Sequence, residues 1–590
     1  MENLKHQIDE LLKTCMDKKD KFSEFTVSDS LRLITKNIQV DEIPTNIFSD
    51  ILAFEFCEDY QGKSGGWELY YGPKFTFKTE TGETKEFPSL NQITSDIIEL
   101  WKTRSNESLH PILLARYNSL VWEFTKIITG ENPNYIFALN AIDNIILIPK
   151  KDCYLHSVTM FKKLEYALNL ALQLNKPERT KAVYETLIWF EDNVSEDDKP
   201  GLWGHAFELL LDNKKINLPE SVGLEIIIKM EERLTCLSND KTPTFNPWAV
   251  ERASLLLAKF YRKHRKDDAV KRVLLNLQEA FDRICTNASP IQVSSWQQNV
   301  YNYFKEYGLF TEAEDIMVKL QKMGHDMLNE LKQISHELKI TTEEMDEYLT
   351  QFIDVELTIA YKRIAVHFIP QKNDVENQLD DLVKKAPLSF LVNTQIIDHY
   401  GRTIATIGSY EDDRTGHIIR QMSQNLSISA IFLQAALKSV IRKFTLSYTD
   451  FADYLYKSPA FQQSRRPFIE MGLKYYFEES YINCIHIIVP QIEDVIRAII
   501  DLAGGSVLKP SRTSGFNYKI LDELLRDEFF LSVFNEDISL YLRVLLTDIR
   551  GWNIRNNLCH GLIHYEALNR NIADRLIHVL LLLALIEKNE

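Results

Sequence analysis

Glycine and proline are scarce, with 20 Gly and 18 Pro in 590 residues. Collagen-like, mucin-like and low-complexity chains need far more of both, so those classes are excluded. The same scarcity leaves few chain breakers and favours long helices joined by short turns. Cysteine is sparse too. The seven cysteines (Cys15, Cys57, Cys153, Cys236, Cys285, Cys484, Cys559) are scattered, odd in number and form no Cys-x-x-Cys pair. That pattern argues against a disulfide framework or structural zinc site and fits a reducing cytoplasm. No stretch reaches the ~18 consecutive apolar residues of a membrane helix. The nearest candidate, Val579–Ile586, is short and reads as a buried helix, so no membrane contact is expected. Met1 to Lys19 is polar and charged, which predicts no signal peptide. Signatures of the P-loop, the dinucleotide fingerprint, H-E-x-x-H, the nucleophile elbow and the EF-hand are all missing. No cofactor and no metal are expected.

What is present is ordinary for a soluble globular chain: 45% hydrophobic and 26% charged residues. The net charge of −16 argues against indiscriminate coating of nucleic acid, which needs clustered Lys and Arg. A small basic site on an acidic body remains open.

The fold class reads as mostly α. The first 60 residues carry helical patterning, as at Ile8, Leu11, Leu12 and Cys15. The period then changes. Trp67-Glu68-Leu69-Tyr70-Tyr71 and Lys74-Phe75-Thr76-Phe77-Lys78-Thr79 alternate, with Gly72-Pro73 and Glu80-Thr81-Gly82-Glu83 as turns. This predicts a small β-ribbon over about residues 67–87, within an N-terminal helical region 1–150. Residues 151–460 read as helix after helix. Ala249–His264 with Asp267–Arg283 forms a helical hairpin, and Gly308-Leu309-Phe310 looks like a tetratricopeptide-type junction. The hairpin spacing is irregular, so the region reads as an α-solenoid-like array offering a concave surface to an unidentified protein partner.

Lys457–Pro467 is mostly polar and reads as a hinge. Residues 467–590 then form a four- or five-helix bundle. Its expected helices are Phe468–Glu479, Tyr481–Ala503 with a kink at Pro490, Asn517–Arg526 and Asp537–Asp548. A short helix capped by Asn553 holds Arg555 to His560, and Asn571 with Asp574 caps the last helix.

Two polar clusters read as structural: His205-Ala206-Phe207-Glu208 as a helix surface, and Asp398-His399 with Glu411-Asp412-Asp413 and His417 as an exposed charged loop. The remaining candidate is Arg555-Asn556-Asn557-Leu558-Cys559-His560-Gly561. Arg and His at this spacing suit metal-independent RNA cleavage. A guanidinium can hold the scissile phosphate and stabilise its developing charge. An imidazole can take a proton from the ribose 2′-hydroxyl or give one to the leaving oxygen. Asn556 offers an amide to orient either partner. On one helix the two side chains lie about 140° apart, so both can border a cleft only if another element or subunit closes it. Spacing alone is weak, because with four to six intervening residues allowed Arg104 and His110 match as well, in what reads as a polar loop without companion helices. On the second bundle helix His486, Glu493 and Arg497 share a polar face. Glu493 can orient His560 or pair with Arg555, which makes Glu493 and His486 second-tier site residues. Arg543, Arg550, Arg570, Arg575 and His564 outnumber nearby acids and predict a modest positive site.

At these residues the chain resembles a known family. Arg555-Asn556 followed by His560-Gly561 matches the RNxxxHG signature of the domain-of-unknown-function 4209 family. The same Arg-polar-x-x-x-His pattern marks catalytic members of the HEPN superfamily (higher eukaryote and prokaryote nucleotide-binding). His486-Ile487-Ile488-Val489-Pro490-Gln491-Ile492-Glu493 is similar to that family's second-helix segment. Tyr70-Tyr71-Gly72-Pro73 and Ala115-Arg116-Tyr117 through Trp122 resemble long proteins that carry the domain. The resemblance implies an all-α bundle at residues 467–590 that forms a homodimer, with two Arg-His motifs meeting in a cleft. It implies a metal-independent endoribonuclease acting on RNA, often a toxin or antiviral-defence effector, with Arg555, Asn556 and His560 catalytic. The helical array would sense, recruit or restrain. Other members have lost catalysis and only bind, so a scaffold whose bundle serves dimerisation or RNA or nucleotide binding is the alternative. The apolar terminal helix, Ile577–Ile586, is expected to cover the dimer interface or the bundle core.

Overall fold

The computed structural model describes residues 2–17, 21–36, 38, 42–60, 67, 69–78, 84–239, 245–332, 339–511 and 514–587. The expected turn at Glu80–Glu83 lies outside them. The chain is mostly helical, with small two-stranded sheets only among the described residues. It divides into two compact units, Met1–Met317 and Val318–Glu590. No helix among the described residues is long and apolar enough to cross a membrane.

In the first unit the ribbon is present. Phe75–Lys78 pairs antiparallel with Thr84–Phe87, and Tyr71–Gly72 pairs with Cys57–Glu58. Tyr71 anchors it through Arg116, whose buried guanidinium lies 4.5 Å from the Tyr71 ring. Arg116 also donates to the Ala53 carbonyl at 2.6 Å and to Glu58 at 2.7 Å. Lys163 reaches the same Glu58 at 2.7 Å and Glu24 at 2.8 Å, so the buried charges are matched in sign. Farther along, Pro247–Lys263 packs on Asp267–Ile284 as the expected helical hairpin. Gly308, at φ +81°, turns the chain between helices Pro290–Glu306 and Phe310–Glu330.

Arg104 and His110 do not lie in a polar loop. Arg104 belongs to helix Ser95–Glu107 and donates to Asp50 and Asp9, both at 2.6 Å. His110 is buried, caps helix Pro111–Thr129 through its ring nitrogen, and is pushed down to about pKa 4 by burial. A packed helix–helix corner explains both residues. His205 stacks on Phe161 with ring centroids 3.9 Å apart, and Glu208 pairs with Arg252 at 3.0 Å.

In the second unit a single apolar core runs from Leu349 to Ala584. Helices Leu357–His367 and Arg414–Lys443 therefore share their packing with the C-terminal helices. Ala460 and Phe461 are buried in the same core, so the segment read as a hinge is fixed by packing. At the centre lies Tyr481–Leu502, which runs through Pro490 and buries Ile485, Val489, Ile492, Ile496 and Ile499. The terminal helix, Arg570–Leu583, is buried from Ile572 onward and belongs to the core.

Two sequence expectations are corrected here. Asn569, not Asn571 with Asp574, caps the terminal helix, because its side chain accepts the Asn571 amide at 3.0 Å. Asp574 instead points inward to the Tyr476 hydroxyl, 2.7 Å away. The stretch Asn517–Arg526 is split between a hairpin strand, Phe516–Tyr518, and helix Leu521–Leu525. The 67–87 ribbon, the one β element read with confidence from the sequence, is joined by hairpins at Thr394–Ile397 with Thr403–Ile407 and at Leu508–Pro510 with Phe516–Tyr518.

Burial raises the Asp574 carboxyl to about pKa 6, despite Tyr476 and an Arg570 nitrogen 3.6 Å away. The folded form thus holds this proton more tightly than the unfolded chain. Its stabilising contribution is complete below about pH 4 and is lost as pH rises through about 6, on the order of 3 kcal/mol. Asp574→Asn keeps the acceptor for Tyr476 and removes the titration. Urea unfolding at pH 4.5 and 7 should show the wild type losing stability relative to Asp574→Asn; parallel stabilities would refute the assignment.

Candidate functional site: a histidine-lined cleft

The motif helix is short, Ile554–Cys559, and both of its ends are built by the sequence around it. Before it the chain turns at Gly551, where a β carbon would collide with the Val544 carbonyl. Trp552 donates its backbone amide to that carbonyl at 2.8 Å and its indole nitrogen to Ser423 at 3.3 Å. These bonds tie the motif to the long helix Arg414–Lys443. Asn553 occupies the N-cap position without capping through its side chain, contrary to expectation, because its backbone is left-handed (φ 50°). Its amide instead accepts from Asn556 at 2.9 Å and donates to Asn557 at 3.1 Å.

At the other end, the Gly561 amide bonds to Leu558 at 3.2 Å and the Leu562 amide to Asn557 at 2.7 Å. This is the Schellman closure, with His560 as the capping residue and Gly561 at φ +66°. The His-Gly pair thus has a backbone explanation. Only a residue tolerant of left-handed φ closes the helix there, and closure leaves His560 exposed at its end.

Arg555 reaches across to the central helix. Its Nε donates to Glu493 Oε2 at 3.0 Å and its Nη1 to Asn556 Oδ1 at 3.2 Å. Asn556 is fixed in turn by donating to the Thr547 carbonyl at 3.0 Å. Nη2 of Arg555 keeps no partner among the described residues. Glu493 is 8% exposed and also bonds Arg497, so one buried carboxylate holds two guanidinium groups. His486 lies on the exposed surface, bonds the Ile482 carbonyl of its own helix at 2.8 Å, and does not line the cleft.

Arg555, Asn556 and His560 border one open cleft of about 1040 Å³. His560 is exposed, and its ring makes no hydrogen bond among the described residues. The facing wall is the hairpin at residues 394–407. Asp398 fixes its tip by accepting the amides of Tyr400 and Arg402, each at 2.9 Å, and Arg402 Nε at 2.8 Å. Burial pushes the Asp398 carboxyl up, but these bonds hold it below the usual carboxylate range. The tip carries His399 into the cleft, where its ring centroid is 5.5 Å from that of His564. The rest of the expected charged loop is structural: Asp413 accepts the Gly416 amide at 2.8 Å, and buried His417 bonds the Gly408 carbonyl at 2.9 Å.

The expected surplus of positive charge is absent. Arg550 grips Asp548 through two bonds of 3.0 Å, and Arg543 lies 3.6 Å from Asp522. Arg570 lies 3.4 Å from Glu479, while Arg575 is buried and donates to the Leu426 carbonyl at 2.9 Å. The cations lining the cleft are Arg555 and Arg402, set against Asp398 and Asp522. Three imidazoles, His399, His560 and His564, supply its remaining titratable groups.

Sequence reading had missed the hairpin wall and the role of His564 in lining the cleft. The signal was available: alternating Thr394-Gln395-Ile396-Ile397 and Thr403-Ile404-Ala405-Thr406-Ile407 flank a short polar turn containing Gly401. No family model matches the chain, and searches of curated proteins and of solved structures gave no match.

Substitution at Gly561 tests the turn. Nothing lies within 4 Å of a β carbon there, so any cost comes from backbone conformation alone. Gly561→Ala should destabilise by about 1 kcal/mol, and Gly561→Asn by less, because Asn tolerates the left-handed region. Thermal unfolding of the two variants should rank them in that order.

Proposed function

We propose that this protein is a metal-independent endoribonuclease of the HEPN type, similar to the domain-of-unknown-function 4209 family, acting on RNA in the cytoplasm. The observation that carries the reading is the shared cleft. Arg555 is fixed by Glu493 and Asn556 yet keeps Nη2 for a ligand, and His560 stands exposed beside it. In the reaction the ribose 2′-oxygen attacks the adjacent phosphorus and expels the 5′-oxygen. Arg555 stabilises the charge that develops on the phosphoryl oxygens, and His560 carries a proton. Toxicity or antiviral defence is the corresponding biological role, with the helical array as sensor or restraint.

The alternative is a non-catalytic scaffold whose bundle dimerises or binds RNA or nucleotide. The balanced charge of the cleft, two Arg against two Asp, favours the dimerising form of that reading. Labelled single-stranded RNA incubated with the full-length protein and EDTA separates the two. Cleavage should persist and leave a 2′,3′-cyclic phosphate and a 5′-hydroxyl, while RNA methylated at the 2′ position should resist. His560→Ala and Arg555→Ala should each cost on the order of 10²–10⁴-fold. Cleavage that is equal in wild type and His560→Ala would sink the assignment.

We further propose a two-fold homodimer through the C-terminal residues. The terminal helix is committed to its own core, so the interface must use other surface. Phe468 and Met471, each 47% exposed on one face of helix Arg466–Phe477, offer apolar area outside the core. Light scattering should give twice the chain mass; a monomer at every working concentration would count against the dimer.

A further inference from the structure

We infer that the two proton transfers of this cleft are divided between two imidazoles, His560 and His564, with His399 positioning the second. The inference rests on the ribonuclease reading above. In that reaction the O2′–P bond forms as the P–O5′ bond breaks. A proton leaves O2′ and another arrives at O5′, so one imidazole accepts while one imidazolium donates, and exchange with water restores both. The attacking and leaving oxygens lie on opposite sides of phosphorus. Two transfers on opposite sides of phosphorus are best served by two carriers placed at two positions.

The cleft contains one. His564 lies four positions after His560, on the loop that leaves the Schellman turn, and lines the same cavity. It is exposed, and its ring makes no hydrogen bond among the described residues, so its nitrogens are available to a substrate. Structural histidines elsewhere in the chain look different: His417 bonds a backbone carbonyl at 2.9 Å, and buried His578 lies 2.8 Å from the Tyr541 hydroxyl. His399 sets the placement of His564. Its own ring packs on Tyr400 at 3.9 Å, on a turn pinned by Asp398, and it meets the His564 ring at 5.5 Å. The other charged groups lining the cleft, Arg402, Asp522 and Arg555, are paired with carboxylates or guanidinium groups and are not free to carry protons. The cleft thus places two imidazoles beside an anchored guanidinium.

The test uses the full-length protein and two substrates: an ordinary oligoribonucleotide, and the same RNA with sulfur replacing the bridging 5′-oxygen at the mapped cleavage site. A thiolate leaves without a proton, so the sulfur substrate bypasses the acid and still needs the base. His560→Gln and His564→Gln should each lose on the order of 10²–10⁴-fold on ordinary RNA. One of the two, and only one, should recover on the sulfur substrate. Thermal unfolding of both variants should match the wild type, since both rings are exposed. His399→Gln should lower kcat by about tenfold with KM unchanged, the signature of a misplaced rather than missing group. Wild-type cleavage by His564→Gln, or recovery of both variants or of neither, overturns this inference while leaving the ribonuclease reading intact. No cleavage by the wild type overturns both.

Discussion

The ion pair between Glu493 and Arg555 is the constraint on which the site depends. A carboxylate in an apolar core is costly unless paired, and Glu493 is buried on a helix whose inner face is packed with isoleucine and valine. Its two oxygens are taken by Arg555 and Arg497, which converts a buried negative charge into a local charge of +1. The pairing spans 62 positions in sequence, so it forms only when the central helix and the motif helix are already packed. A guanidinium oriented in this way loses little rotamer freedom when it meets a phosphate. Core packing, through one carboxylate, therefore sets the aim of the residue that would hold the scissile group.

The second determinant is the shortness of the motif helix. With only Ile554–Cys559 in helical conformation, its C-terminal cap lies one turn and a half beyond Arg555. The two side chains, which a straight helix would direct to different faces, are brought to one cavity because His560 leaves from the cap rather than from the helix body. Gly561 is what permits this exit. The other Arg and His of similar spacing, Arg104 and His110, show what the same residue types do without such an end. There, Arg104 is consumed by two carboxylates and His110 by a helix N-terminus.

Where the physics is local, the sequence was legible. The scarcity of Gly and Pro announced helices, the Gly308 junction and the hairpin of Pro247–Lys263 with Asp267–Ile284 formed as patterned, and the isoleucines of Tyr481–Leu502 turned inward. The ribbon at Phe75–Lys78 followed from its aromatic alternation. What was illegible depended on long-range pairing. Arg543, Arg550, Arg570 and Arg575 counted as positive charge in sequence, but each is neutralised or buried by a partner that only folding brings close. The choice of Asn569 over Asn571 as a cap turned on whether Asp574 faced solvent or Tyr476. His399 was hidden for a similar reason. An exposed charged loop and the wall of a cleft look alike until the opposite wall, more than a hundred positions away, is in place.

The charge balance of the cleft bears on the kind of RNA contact it can support. A surface that binds polyanions by net potential needs several unpaired cations along the backbone, and affinity then falls steeply with salt. Here the lining cations are matched by lining acids, and the chain as a whole carries −16. Under the proposed function, phosphate selectivity would therefore have to be local, through the unpartnered Nη2 of Arg555 and the lining imidazoles. If the cleft takes RNA as proposed, it would recognise one phosphate at close range rather than a length of strand, and bases and riboses would have to fit the apolar part of the wall, including Ile404 and Leu562. A single-stranded or looped substrate would satisfy this more readily than a duplex, because its nucleotides can enter a cavity of this size individually. Discrimination would then come from the shape of the cleft and from the rigid tip of the hairpin, while the guanidinium and imidazoles supply the chemistry.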